Sequence, residues 1–175
     1  EAEYALRERS VTARAAVAAS PSNVAPMPFS IGNHLTLAVS SDCAIRTPAR
    51  DLLLLSADGF LEGGLEAAPY AAATRLGEEP ALRDMVLGGY EPGQAWCEVD
   101  YGDFSLRVSQ REIVELGAVP KALPEHHHFV FYSDGASFFC PEPWYGAPNS
   151  LNEGEGLIRL KPGERFVWEI TLAAQ

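Results

Sequence analysis

Glu142 stands between Pro141 and Pro143 and is followed at once by Trp144 and Tyr145. Proline fixes φ and has no N–H to donate, so the pair holds the backbone stiff around this carboxylate. An acid in fixed geometry beside aromatic rings suits proton transfer, because partial desolvation tunes its pKa. The rings also offer a flat surface on which the CH face of a sugar can stack. By itself the motif is better read as a surface acid in a proline-rich turn, since most fixed acids are structural. His34 is the one histidine outside the run His126-His127-His128, and it follows Gly32-Asn33 in an apolar alternation. An imidazole gives or takes a proton near neutrality; a half-buried strand histidine bonded to a carbonyl is the plainer reading. Asp84, in Leu82-Arg83-Asp84-Met85-Val86, is an acid just ahead of an apolar pair. Taken alone it reads as a turn or cap aspartate, or as the partner of a nearby arginine. In a strand, His126 and His128 would share one face and could chelate. No cysteine or acid completes an obvious set at favoured spacing, although Glu125 adjoins, and no metal centre is expected.

The elements that must position these residues read as short strands. Residues 3–19 suggest two strands joined near 8–10. Residues 20–28, with three prolines, read as a loop. Residues 29–39 alternate with period two and are expected to form one strand, interrupted at Gly32-Asn33, where a glycine marks a bulge or close approach. Further strands are expected at 52–55, 95–99, 104–108, 112–116, 126–132 and 166–172. Residues 61–89, rich in Gly, Pro and Ala, read as irregular loop with short helical turns. Many short strands, Gly/Pro/Asp turns and no long helix give an all-β sandwich. No repeat or linker divides the chain, so residues 1–175 read as a single domain organised around residues 140–163.

The totals narrow the class. The chain has 175 residues, 47% hydrophobic and 21% charged, enough for one domain with a sizeable core. Its net charge of −11 argues against a nucleic-acid partner and fits a neutral ligand such as a sugar. The longest aliphatic run is four residues, 52–55, so no membrane span is expected. Three cysteines (Cys43, Cys97, Cys140), an odd number without zinc-type spacing, suggest buried thiols in a reducing compartment, hence a cytoplasmic location. The sequence opens at Glu1 without an initiator Met, and Glu-Ala-Glu-Tyr-Ala-Leu reads as the middle of a strand. A processed chain, or the C-terminal portion of something longer, is expected. Phosphate-loop, dinucleotide, nucleophile-elbow and zincin motifs are all missing.

Three segments, in order, resemble the aldose 1-epimerase (galactose mutarotase) family: Ile31-Gly32-Asn33-His34; Leu82-Arg83-Asp84-Met85-Val86; and Pro141-Glu142-Pro143-Trp144 with Gly146-Ala147-Pro148-Asn149 and Leu160-Lys161-Pro162-Gly163-Glu164. The resemblance covers the later part of a family member. It implies the C-terminal portion of a large antiparallel β-sandwich of the galactose mutarotase-like type. That sandwich would be completed by an N-terminal half, as a separate chain or a missing segment, which would bring an arginine and another sugar-binding histidine. It implies interconversion of the anomers of a free sugar by acid–base ring opening, with His34 as acid and Glu142 as base. Asp84, Asn33, Trp144 and Tyr145 would bind the monosaccharide, and neither a metal nor an organic cofactor would be needed. Two features depart from the family pattern: Leu35-Thr36-Leu37 after the histidine, and the triple histidine. A non-catalytic carbohydrate-binding subunit, or a related sugar epimerase or lyase, would use the same fold. A hexose phosphate fits less well, unless Arg46, Arg50 and Arg75 converge.

Overall fold

A computed structural model describes residues 1–113, 126–154 and 156–175. In chain order the first strands are β1 (Ala2–Arg7), β2 (Ser10–Ala18), β3 (Met27–Phe29), β4 (Ile31–Gly32), β5 (Leu37–Ala38), β6 (Ala44–Arg46), β7 (Asp51–Leu55) and β8 (Leu61–Ala67). There follow β9 (Thr74–Arg75), β10 (Asp84–Gly88), β11 (Trp96–Asp100), β12 (Ser105–Glu112), β13 (His127–Ser133), β14 (Phe138–Tyr145), β15 (Ile158–Leu160) and β16 (Arg165–Ala174). One short helix, α1 (Ser150–Glu153), follows β14. The fold is all-β.

Two antiparallel seven-stranded sheets face each other. The first runs β1-β2-β16-β12-β11-β6-β9; the second runs β4-β14-β13-β10-β7-β8, with β5 also on β14. Strand alternation sends one set of side chains from each sheet inward. Phe129, Phe131 and Phe139 meet Val108, Phe166, Trp168 and Ile170 in one core. Two inward polar groups are satisfied there: the Gln110 side chain donates to the His128 carbonyl at 2.6 Å and accepts from the Trp168 indole at 3.2 Å. The β1–β2 hairpin over residues 3–19 agrees with the sequence reading. β1 is exposed along its whole length on the rim of its sheet, with Tyr4 73% and Leu6 83% accessible.

Three expectations are corrected. Residues 61–89 are not mainly loop, since they contain β8 and β10. Gly63, at φ 75°, and a register shift between Leu53 and Leu55 hid the pattern of β8. β10 lies between β13 and β7 with Met85, Val86 and Leu87 all buried, so it shows no alternation to read. β12 runs on to Glu112, where two strands with a turn between them were expected; the rest of 112–116 lies outside the described residues. Residues 29–39 are not one strand. β4 pairs with Trp144 and Tyr145, β5 pairs with Phe138 and Phe139, and the chain between them leaves the sheet.

The cause of that gap is in β14. The Pro143 carbonyl accepts from the Asn33 N–H at 3.0 Å. A residue's carbonyl and nitrogen point to the same side of its strand, so the nitrogens of Pro143 and Pro141 face this edge. They have no hydrogen to give, and a neighbour cannot pair continuously along them. The ladder to β13 is intact through the same residues.

Candidate active site

The break between β4 and β5 hangs His34 over the outward face of β14. On that face alternate residues Cys140, Glu142 and Trp144 point the same way, and Glu142 lies beneath the imidazole. His34 Nε2 is 3.4 Å from Glu142 Oε1, and the Trp144 indole N–H donates to Glu142 Oε2 at 3.3 Å. The two partners differ in exposure: the His34 side chain is 63% accessible and that of Glu142 only 9%. Ser30, Gly32, Asn33, His34, Glu142 and Trp144 line an open hollow of about 340 Å³. Gly32 is there for space. A Cβ on it would stand 3.0 Å from both Cδ1 and Nε1 of the indole, so the missing side chain lets Trp144 lie flat against β4. Thr36, from the same break, places its hydroxyl 3.4 Å from His34 Nδ1 and 3.3 Å from Cys140 Sγ.

The other expected residues are distributed unevenly. Asn33 lines the hollow and is tied to β14 through its backbone. Tyr145 is the correction. One residue beyond Trp144, it points to the opposite face, is 1% exposed, and donates to Glu112 at 2.9 Å inside the sandwich. Period-two alternation separates the two rings, so Trp144 alone can offer a stacking surface over Glu142. Asp84 pairs with Tyr132, which pairs with Cys140, so it shares the outward face with Glu142. It lies two strands away and one row along, roughly 12 Å between Cα atoms from strand spacings, and does not line the hollow.

The histidine run serves three structural ends. The His126 Nδ1–H donates to the Gly156 carbonyl at 3.0 Å, and the ring stacks on Tyr145 with centroids 5.6 Å apart. His127 packs edge-on to the same ring in the interior, 3.4 Å from Glu112. His128 faces outward opposite Trp144 but is buried. Burial pushes its imidazole down to about 4, against a hydrogen bond to the His126 carbonyl and with the help of His126 and His127. Glu125 lies outside the described residues. The arginines do not converge on the hollow: Arg46 is held by Glu98, Arg50 by Glu91, and Arg75 by Glu78 at 3.6 Å. Sequence reasoning missed Cys140 and Thr36 as neighbours of the couple. The alternation 140, 142, 144 carried the signal for the first; nothing local carried it for Thr36.

A second hollow, of about 390 Å³, lies on β7 and β8, lined by Leu53, Leu61, Leu65 and Glu153 among others. Among the described residues that line it there is no acid–base couple. Among the described residues no helix is long and apolar enough to cross a membrane.

Several known structures with this fold are described as galactose mutarotase-like or aldose epimerases. The galactose mutarotase related enzyme of Lactobacillus acidophilus superposes with a TM-score of 0.76 at 15% identity, over 99% of this chain and 60% of that one. A galactose mutarotase-like protein of Clostridium acetobutylicum gives 0.65 at 14%, over 99% and 65%. A galactose 1-epimerase of L. acidophilus gives 0.57 at 10%, over 100% and 66%. The fold is therefore the galactose mutarotase-like β-sandwich, and the chain spans about six tenths of the length of these structures. No protein-family model and no curated protein sequence matches the chain.

Proposed function

We propose that this chain carries the acid–base couple of an aldose 1-epimerase-like enzyme acting on a free sugar. The observation that carries the reading is the 3.4 Å approach of His34 Nε2 to Glu142 Oε1 beside an indole on an open sheet face. Anomer exchange requires a base at the anomeric hydroxyl and an acid at the ring oxygen, two atoms on one carbon. Glu142 takes the hydroxyl proton as His34, in its imidazolium form, protonates the ring oxygen. The C1–O5 bond breaks and the C1–O1 bond becomes a carbonyl. The aldehyde turns about C1–C2 and closes with the roles reversed. Trp144 stacks on the sugar, Asn33 bonds to its hydroxyls, and Asp84 meets the far end of the ring. A neutral substrate suits a hollow to which no arginine contributes.

The chain is, on this reading, the C-terminal portion of the sandwich, completed by an N-terminal segment or chain in a reducing cytoplasm. Two observations support this: the coverage of longer structures, and a rim strand, β1, exposed throughout with Tyr4 and Leu6 uncovered. An open edge of that kind is normally covered. Polarimetry of a freshly dissolved α-sugar, with the completing segment present, tests the activity. Mutarotation at the uncatalysed rate, unchanged by Glu142→Gln, would sink it.

A non-catalytic carbohydrate-binding role is the second reading, favoured by the openness of the hollow and the distance of Asp84 from it. It predicts sugar binding that depends on Trp144 with no acceleration of mutarotation.

A further inference from the structure

We propose that His34, Cys140 and Glu142 form a binding site for a zinc-class divalent cation, with His34 Nε2, Cys140 Sγ and Glu142 Oε1 as ligands. One ligand atom from each residue lies within 4.8 Å of the other two, the one such group among the described residues. The His34–Glu142 separation of 3.4 Å matches a tetrahedral edge. With metal–nitrogen and metal–oxygen bonds of about 2.0–2.1 Å, that edge is roughly 3.3 Å.

The site is built rather than accidental in three respects. Cys140 and Glu142 are alternate residues of one buried strand, so their side chains are delivered to the same face. The Thr36 hydroxyl reaches both His34 Nδ1 and Cys140 Sγ, an outer partner that orients the ring and leaves Nε2 toward Glu142. His34 is exposed, which supplies an entry path and leaves the fourth position open to solvent.

The donor set chooses the metal. One sulfur, one imidazole nitrogen and one carboxylate oxygen favour zinc and cobalt; magnesium and calcium seek oxygen. On binding, the Cys140 S–H bond breaks, its proton goes to solvent, and the sulfur lone pair forms the metal bond; no electron changes hands. The thiolate and carboxylate together balance a dication. The cation occupies the imidazole nitrogen and the carboxylate oxygen needed for proton transfer, so it inhibits rather than assists. That consequence rests on the acid–base reading, whereas the binding does not.

Cobalt(II) titrated into the full chain under reducing conditions tests the site directly. One equivalent is expected to raise a near-ultraviolet sulfur-to-cobalt charge-transfer band with the visible bands of a four-coordinate ion. One equivalent of zinc should bleach both, and excess magnesium should not. Cys140→Ser should remove the charge-transfer band. His34→Ala, at an exposed position that the fold does not need, should weaken cobalt binding at least tenfold. The spectrum requires no turnover, so it stands or falls separately from the epimerase reading. No band at one equivalent, a band that survives Cys140→Ser, or displacement by magnesium as readily as by zinc overturns the proposal.

Discussion

Three glutamates sit on outward sheet faces with nearly the same burial, Glu98 and Glu169 at 5% and Glu142 at 7%. Their surroundings are opposite. On the first sheet Glu98 is gripped by Arg46 and Arg107, and Glu169 by Arg14 and Arg111. Burial pushes both carboxyls up, and the paired guanidiniums more than reverse it, leaving them below the ordinary range. On the second sheet Glu142 meets one exposed imidazole and one indole N–H. A carboxylate offers about four acceptor sites. Two arginines fill those of Glu98 and Glu169, while Glu142 keeps capacity for an incoming proton. Burial alone therefore does not separate these three acids; the saturation of their oxygens does.

The largest expected effect breaks the symmetry of the three acids. On the proposed chemistry, Glu142→Gln lowers the rate of catalysed mutarotation by about 10²-fold or more, the usual worth of a general base, with the urea midpoint nearly unchanged. Polarimetry and denaturation on the same sample check both halves. An unaltered rate would place Glu142 with the structural acids.

Next comes His128, buried opposite Trp144 with no opposite charge among the groups that set its proton affinity. Its folded value of about 4 lies below the ordinary 6.5, so the unfolded chain binds the proton first as pH falls. Its contribution to stability is complete above about pH 6.5 and is lost progressively toward pH 4. The loss is about 3 kcal/mol for a shift of this size. His128→Leu should flatten that part of the urea-midpoint profile. A wild-type profile already flat between these limits would show that the ring is not held neutral.

Glu169→Gln is the control from the other sheet. Arg14 and Arg111 are 42% and 64% accessible, so water compensates much of the loss. A cost of about 1 kcal/mol is expected, with mutarotation unaffected. The contribution is present above the ordinary carboxylate range and is lost as pH falls through the lowered folded value, so the variant and wild type should converge in acid.

The contrast also explains what could be read from the sequence. The β1–β2 hairpin, the β13 strand and the stiffness around Glu142 follow from local alternation and proline. The pairing of His34 with Glu142 came from family order, since the two are far apart in the chain. What stayed hidden depended on neighbours. β10 has no alternation because Met85, Val86 and Leu87 are all buried, so both faces of the strand are covered. Tyr145 was placed with Trp144 although strand parity separates adjacent residues. The prolines were read as stiffeners, yet their larger consequence is the donorless edge that keeps β4 and β5 apart and frees His34. The two Arg–Glu–Arg groups join residues up to 155 positions apart, as Arg14 and Glu169 do, and left no local mark.

Gly32→Ala should have the smallest effect and addresses the second oxygen of Glu142. The added methyl would press on Trp144 Cδ1 and Nε1 at 3.0 Å, tighter than ordinary contact. Gly32 pairs with Trp144 in register and every atom the methyl would press on belongs to the ring, so the indole rather than the backbone must give. A shift of a few tenths of an ångström lengthens the indole bond to Glu142 Oε2, already 3.3 Å. The net worth of such a bond is about 1 kcal/mol, which corresponds to roughly a fivefold fall in turnover on the proposed chemistry. A change in tryptophan emission should accompany it, since the ring moves against its carboxylate. If emission shifts and turnover does not, the indole orients nothing that matters to Glu142, and the imidazole alone separates this acid from the two held by arginine.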